Sequence, residues 1–181
     1  MFGFGKYEKL YAPVTGETVD LSEVPDKVFS DKMMGEGIAI EPEDDVVRAP
    51  ADGEITVVHE CGHALCMKTS SGTDLLIHIG LDTVKLKGQE FIKGVQEGDK
   101  VQRGQEIIRF NRKTMQARGY NVITMLIVLE TSKENLKIIN RGTDVTVGDS
   151  IVIEVKRKWK SLRSSITMPY TQRKKAEQSS Y

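Results

Sequence analysis

No run of apolar residues in this 181-residue chain approaches the roughly 18 that a membrane-spanning helix needs. Its opening, Met1-Phe-Gly-Phe-Gly-Lys, lacks the long apolar core of a secretory signal, so a cytoplasmic protein is expected. Cysteine is scarce too. Cys61 and Cys66 are too few and too close for a disulfide framework, which fits a reducing compartment. Net charge is absent, with 26 basic against 26 acidic residues, yet the balance is uneven along the chain. Residues 156–181 hold eight Lys/Arg against Glu177 alone, so the first 155 residues carry a deficit of seven charges. An acidic body with a basic tail argues against a nucleic-acid-binding core and for a partner with a positive face.

What is present is β-forming sequence. The length suffices for one sizeable core and a tail, and 39% hydrophobic with 29% charged residues is ordinary for a globular domain. Residues 10–155 read as almost wholly β. Apolar and β-branched runs recur at Thr18–Leu21, Gly37–Ile40, Val46–Arg48, Ile55–Val58, Leu75–Ile79, Ile107–Phe110, Val122–Leu129 and Ile151–Val155. Gly, Pro, Asp and Asn separate them about every ten residues, the spacing of a sandwich or barrel. Asn111–Arg118, closed by Gly119, predicts a short helix with an Asn cap and a glycine stop, and Leu21–Phe29 predicts another turn or two.

Two pairs of segments suggest a duplicated motif. Ala12-Pro-Val-Thr-Gly-Glu-Thr returns as Ala49-Pro-Ala-Asp-Gly-Glu-Ile, and the Gly98–Ile108 pattern returns over Gly142–Val152. Each places glycines where a tight turn needs positive φ, followed by a strand. The expected fold is therefore all-β: an antiparallel sandwich or barrel with duplicated glycine-turn motifs and one or two short helices. The expected boundaries are a domain over 1–155, with its core from about 10, and a basic tail over 156–181. That tail holds too little apolar material for a second core, so disorder is expected. Trp159, Leu162 and Ile166 do share one helical face beside Lys156, Lys160 and Arg163, the pattern of a membrane-surface helix.

The most informative stretch lies between His63 and His78, fifteen residues apart. Ser70-Ser71-Gly72 between them reads as a turn, so strand–turn–strand is the economical interpretation, with one histidine on each of two adjacent strands. Paired side chains there approach to roughly 5 Å. Imidazole titrates near pH 6.5, so one ring can be an unprotonated nucleophile while the other donates a hydrogen bond. That arrangement suits capture of an electrophile, phosphorus foremost.

Leu75-Leu-Ile-His-Ile-Gly-Leu-Asp-Thr-Val resembles the phosphorylation-site segment of the glucose-type IIA component of the bacterial phosphoenolpyruvate-dependent sugar phosphotransferase system. Ala12-Pro-Val-Thr-Gly, Val24-Pro-Asp-Lys-Val-Phe-Ser-Asp-Lys, Gly35-Glu-Gly-Ile-Ala-Ile, Ala49-Pro-Ala-Asp-Gly and Leu86-Lys-Gly support the likeness from about Leu10 to Val155. The resemblance implies a β-sandwich phosphocarrier that takes a phosphoryl group from the small carrier HPr and passes it to the IIB domain of a sugar permease. It implies His78 as the phosphorylated nucleophile, through Nε2, and His63 as a hydrogen-bond donor to the phosphoryl group. Asp26 and Asp82 match acids at the rim of a docking face that meets basic residues of HPr. Val28, Phe29, Met33, Met34, Leu76 and Val84 would supply an apolar contact patch, and Gly80 close backbone approach with an N–H for a phosphoryl oxygen. No cofactor and no nucleic acid is implied, and membrane association would come only through the permease or the tail. The chain departs from well-known members at Cys61, where a threonine hydrogen-bonds the first histidine, and at His59 and Met33-Met34, which stand at apolar docking positions.

Other chemistries fit less well. Lysostaphin-like zinc peptidases share glycine-turn repeats but need a His-x-His pair and an aspartate, and no His-x-His occurs among the three histidines. Cys61 or Cys66 with His59 and His63 is crowded for a metal site; a zinc at His63 and His78 completed by a partner is a weak further possibility. Biotinyl and lipoyl carriers commonly present Met-Lys-Met at a hairpin tip, whereas Met67-Lys68 has no second methionine and precedes the turn. A regulatory binding module of the same fold, switched by phosphorylation of His78, is the alternative function.

Overall fold

The computed structural model describes residues 7–131 and 133–156. The basic segment from Arg157 onward, including the Trp159–Leu162–Ile166 face, lies outside the described residues. The strands in chain order are β1 (Tyr7–Tyr11), β2 (Gly16–Asp20), β3 (Gly35–Pro42), β4 (Val46–Arg48), β5 (Gly53–Val58), β6 (Ala64–Thr69), β7 (Asp74–Ile79), β8 (Phe91–Lys93), β9 (Lys100–Val101), β10 (Glu106–Phe110), β11 (Thr124–Leu129), β12 (Leu136–Ile138), β13 (Asp144–Val145) and β14 (Ile151–Lys156). Two short helices, α1 (Lys27–Ser30) and α2 (Arg112–Ala117), and three 3₁₀ turns complete the described set. All strand pairings are antiparallel. No described helix is long and apolar enough to cross a membrane.

Eight strands form the main sheet in the order β13-β2-β3-β11-β7-β6-β5-β9; β1-β14-β12 and β4-β10-β8 form two smaller sheets. One apolar core joins all three, uniting Leu10, Val47, Ile107 and Ile153 of the small sheets with Ile38, Leu65, Ile77 and Leu126 of the large one. The side-chain period of two then divides the central strands. On β7, Leu75, Ile77 and Ile79 enter this core, and Leu76 turns to the opposite face. On β11, Leu126 and Val128 go inward while Met125 and Ile127 go outward.

The outward set is covered rather than wet. Leu21, Val24 and Phe29, from the 3₁₀ turn Leu21–Glu23 through α1, pack on Ala39, Leu76, Ile123, Met125 and Ile127 as a second, smaller core. Burial on both faces explains why Leu75–Ile79 and Val122–Leu129 read as unbroken apolar runs instead of alternating ones. The strand expected over Thr18–Leu21 stops at Asp20, whose carboxylate accepts the Ser22 N–H at 3.0 Å and starts the 3₁₀ turn. The expected 111–118 helix is α2, with Asn111 Oδ1 accepting the Thr114 N–H and Gly119 at φ +84° closing it.

The duplicated segments occupy equivalent positions. Gly16 pairs with Val145 and Gly53 with Val101. Gly148 N–H donates to the Ala12 carbonyl at 2.9 Å, and Gly104 N–H to the Ala49 carbonyl at 2.8 Å. The sequence repeat is thus a repeat of hydrogen bonding. Strand β1 begins ahead of residue 10 and pairs with β14, Tyr7 opposite Lys156.

Candidate histidine-pair site

The site lies on the outer face of the main sheet, where β6 and β7 emerge beside α1. The Ser70–Gly72 turn joins β6 to β7 as expected, with Gly72 at φ +91° and its N–H on the Thr69 carbonyl. His78 belongs to β7, in a transverse row of cross-strand partners: Val19, Ala39, Met125, His78 and Ala64. His63 is not on a strand. It ends the turn between β5 and β6, where His59 N–H donates to the Ala64 carbonyl, Gly62 N–H donates to the His59 carbonyl, and Gly62 takes φ +76°. The ladder still fixes it beside β7, because its carbonyl accepts the Ile79 N–H at 2.8 Å.

The two imidazoles meet edge to face, centroids 5.1 Å apart and planes at 81°. Phe29 of α1 stands 5.0 Å from the other side of His78, and Phe91 of β8 lies 6.5 Å from His63. His63 is 6% exposed. Nδ1 of each ring is shut from solvent and has no hydrogen-bond partner among the described residues. Burial, reinforced by positive charge on His78 and His59, pushes the His63 pKa down to about 4. Burial also lowers that of His78, although the Gly80 main chain and the Asp26 carboxylate pull the other way. Both rings are therefore neutral at pH 7, each with one nitrogen bearing a lone pair.

The other expected residues divide by depth. Val28, Met33, Met34 and Val84 are exposed, Met33 most of all at 72%. Phe29 and Leu76 are buried in the second core. Asp26 caps α1, its Oδ1 accepting the Val28 N–H at 2.8 Å. Asp82 sits in a left-handed conformation at φ +58° and pairs with Lys85 at 3.0 Å in solvent. Gly80 departs from expectation. It is buried, and its N–H is already engaged by the Ile123 carbonyl at 2.9 Å, so it is not free for a phosphoryl oxygen. Its role is space and backbone conformation. At φ +72°, an added Cβ would come within 2.5 Å of Thr83 Cγ2 and 2.7 Å of the Asn121 carbonyl.

Sequence reasoning set His59 aside, and the structure brings it into the cluster. Its ring lies 4.2 Å from that of His63 in an edge contact, and its Nδ1 accepts the Cys61 N–H at 3.1 Å. Phe91 was also missed. The one available signal was the alternation His59, Cys61, His63, but a turn rather than a strand brings these three together. Cys61, not Cys66, joins His59 and His63 as a group whose ligand atoms all lie within 4.8 Å of one another.

Residues 8–134 match the model of the phosphoenolpyruvate-dependent sugar phosphotransferase system, EIIA 1 family. The chain is 37% identical over 149 residues to the PTS system glucose-specific EIIA component of Haemophilus influenzae, covering 82% of this chain and 89% of that protein. It is 42% identical over 144 residues to the PTS system glucoside-specific EIICBA component of Staphylococcus carnosus, covering 80% of this chain. This chain matches about a fifth (21%) of that longer protein's length. In fold it is similar to glucose permease IIA from Mycoplasma capricolum, with a TM-score of 0.77, 33% identity, and coverage of 84% of this chain and 99% of that one.

Proposed function

Since this chain belongs to the EIIA 1 family of the phosphoenolpyruvate-dependent sugar phosphotransferase system, we propose that it is a phosphocarrier for sugar uptake, with His78 as the residue that carries the phosphoryl group. The observation that carries this reading is the neutral histidine pair, edge to face at 5.1 Å, with the buried ring of Phe29 against His78.

The step is an in-line transfer. The lone pair on His78 Nε2 attacks the phosphorus of phospho-HPr, and the donor's P–N bond breaks with its electron pair returning to the donor imidazole. Attack by a IIB nucleophile on phosphorus then breaks the new bond in the same way. Little covalent help is needed beyond alignment, spread of charge over the equatorial oxygens, and dryness. His63 spreads the charge by donating Nε2–H to a phosphoryl oxygen. Phe29 and Leu76 close the site from below, and Val28, Met33, Met34 and Val84 exclude water once a partner is seated.

Asp26 and Asp82 meet basic groups of HPr at the rim, in keeping with the acidic balance of the body. The acceptor is a IIB domain, a reading supported by the name EIICBA on a relative that includes a matching segment. The carrier domain is taken as residues 1–155 and its compartment as the cytoplasm. Phosphorylation adds roughly two negative charges at His78 and so changes which partner docks.

The test is incubation with phosphoenolpyruvate, enzyme I and HPr, mapping acid-labile phosphate by mass spectrometry. Label is expected on His78 alone, absent in His78→Ala, and present but poorly passed to IIB in His63→Ala. An unlabelled wild-type chain with cognate donors would sink the reading.

A further inference from the structure

We propose that His59, Cys61 and His63 form a transition-metal site of the zinc type in the turn between β5 and β6. The turn supplies the grouping. His59 N–H on the Ala64 carbonyl, Gly62 N–H on the His59 carbonyl, and Gly62 at φ +76° fold three alternate side chains together. Their ligand atoms all lie within 4.8 Å of one another. Tetrahedral zinc, with Zn–N near 2.0 Å and Zn–S near 2.3 Å, sets its ligands about 3.3–3.6 Å apart. Closure therefore asks for a shift on the order of 1 Å. His59 is exposed and Cys61 half-buried, so both have room to make it.

His63 supplies the fixed corner. It is held by its ladder hydrogen bond, and its buried Nδ1 lacks any partner among the described residues, so coordination there satisfies an otherwise orphaned atom. Coordination by His59 displaces the Cys61 N–H···Nδ1 bond, which is exposed and 3.1 Å long and so is a small loss. Cys66 is no substitute. It faces the second core, opposite Leu76. One thiolate and two imidazoles select Zn²⁺ and Co²⁺ over Mg²⁺ and Ca²⁺, and three protein ligands leave a fourth position for water or a partner's side chain.

This site shares His63 with the phosphocarrier reading but does not rest on it, and its test uses no phosphoryl donor. The full chain, reduced and metal-free near pH 7.5, is titrated with Co²⁺ and then Zn²⁺, followed by absorption and by competition with a chromophoric chelator. Expected are one equivalent bound, a thiolate-to-cobalt charge-transfer band with tetrahedral d–d bands, and displacement by Zn²⁺. Cys61→Ser should abolish the charge-transfer band. Cys61→Ser and His59→Phe should each weaken zinc at least about tenfold. His78→Ala should bind as wild type does. Binding that survives Cys61→Ser and is lost in His78→Ala assigns the cation to the histidine pair and overturns the proposal, as does the absence of saturable micromolar binding.

Discussion

Ala64 stands directly opposite His78 in the β6–β7 ladder, so the two histidines meet diagonally across a methyl group instead of rung to rung. The small side chain leaves room above the sheet for His63 to lean in from the turn, while its carbonyl on Ile79 N–H holds the approach. Because the nucleophile lies on a central strand and its partner on a turn tied to that strand, the pair is positioned by main-chain bonds. Side-chain rotamers need only fine adjustment.

Acid should destabilise this fold through His63. Its folded-state pKa of about 4 lies below the ordinary 6.5, so the unfolded chain binds more protons between those values. Stability is fully present above pH 6.5 and falls as pH drops towards 4, by about 3 kcal/mol at the limit, with His78 acting in the same direction. Urea denaturation at several pH values should show a shallower loss in His63→Gln than in wild type. Parallel curves would remove His63 as the source.

Phe29→Ala should cost about 3 kcal/mol, the usual loss for a buried aromatic. Admitting water beside His78 should also move its depressed pKa back towards the ordinary value, since burial is the largest cause of the shift. NMR titration of the His78 ring protons reads this directly. A His78 pKa unmoved in a folded variant would show that Phe29 does not desolvate it.

Gly80→Ala should destabilise by about 2 kcal/mol or more, combining the left-handed φ with the clash against Thr83 and the Asn121 carbonyl. The displaced backbone carries His78 with it, so phosphoryl acceptance should fall as well. Wild-type melting in this variant would contradict the close approach described here.

Asp82→Asn should leave the melting temperature within error, because Asn also accepts the left-handed conformation at φ +58° and the side chain is 69% exposed, with its ion pair to Lys85 in solvent. Docking of HPr should weaken, mainly through a slower association whose salt dependence is reduced. Stopped-flow association at two ionic strengths checks both parts, and rates equal to wild type would take Asp82 out of the docking rim.

Cys61→Thr should stabilise the chain by about 1 kcal/mol, by giving buried His63 Nδ1 the hydroxyl that the resemblance places at this position. Chemical denaturation of metal-free protein measures it. A neutral or negative effect would mean that a hydroxyl at position 61 does not reach that nitrogen.

Much of this was legible in residue order. The Ser70–Gly72 turn, the strand holding His78 and the Asn111 cap rest on local chemistry, and each lies where its residues point. What escaped depends on partners distant in sequence. The two-residue strands β9 and β13 exist because Gly53 and Gly16 lie opposite them, and Glu8-Lys9 in β1 gave no apolar signal. His63 read as a strand residue because alternation continues through His59 and Cys61, while only Gly62 at positive φ reveals the turn. Gly80's N–H looked free because the Ile123 carbonyl that takes it lies far along the chain.

With Tyr7 opposite Lys156, the first and last described strands are hydrogen-bonded neighbours, so the order of strands along the backbone is separable from their order in space. A short Gly/Ser bridge from 156 to 7, with the backbone opened at the exposed Ser70–Gly72 tip, keeps every rung of the three sheets. Such a circular permutant converts the pairing of longest sequence span into a local hairpin, which lowers contact order. It would also release the link between β6 and β7, so that the two histidines would be held across cut ends by sheet pairing alone.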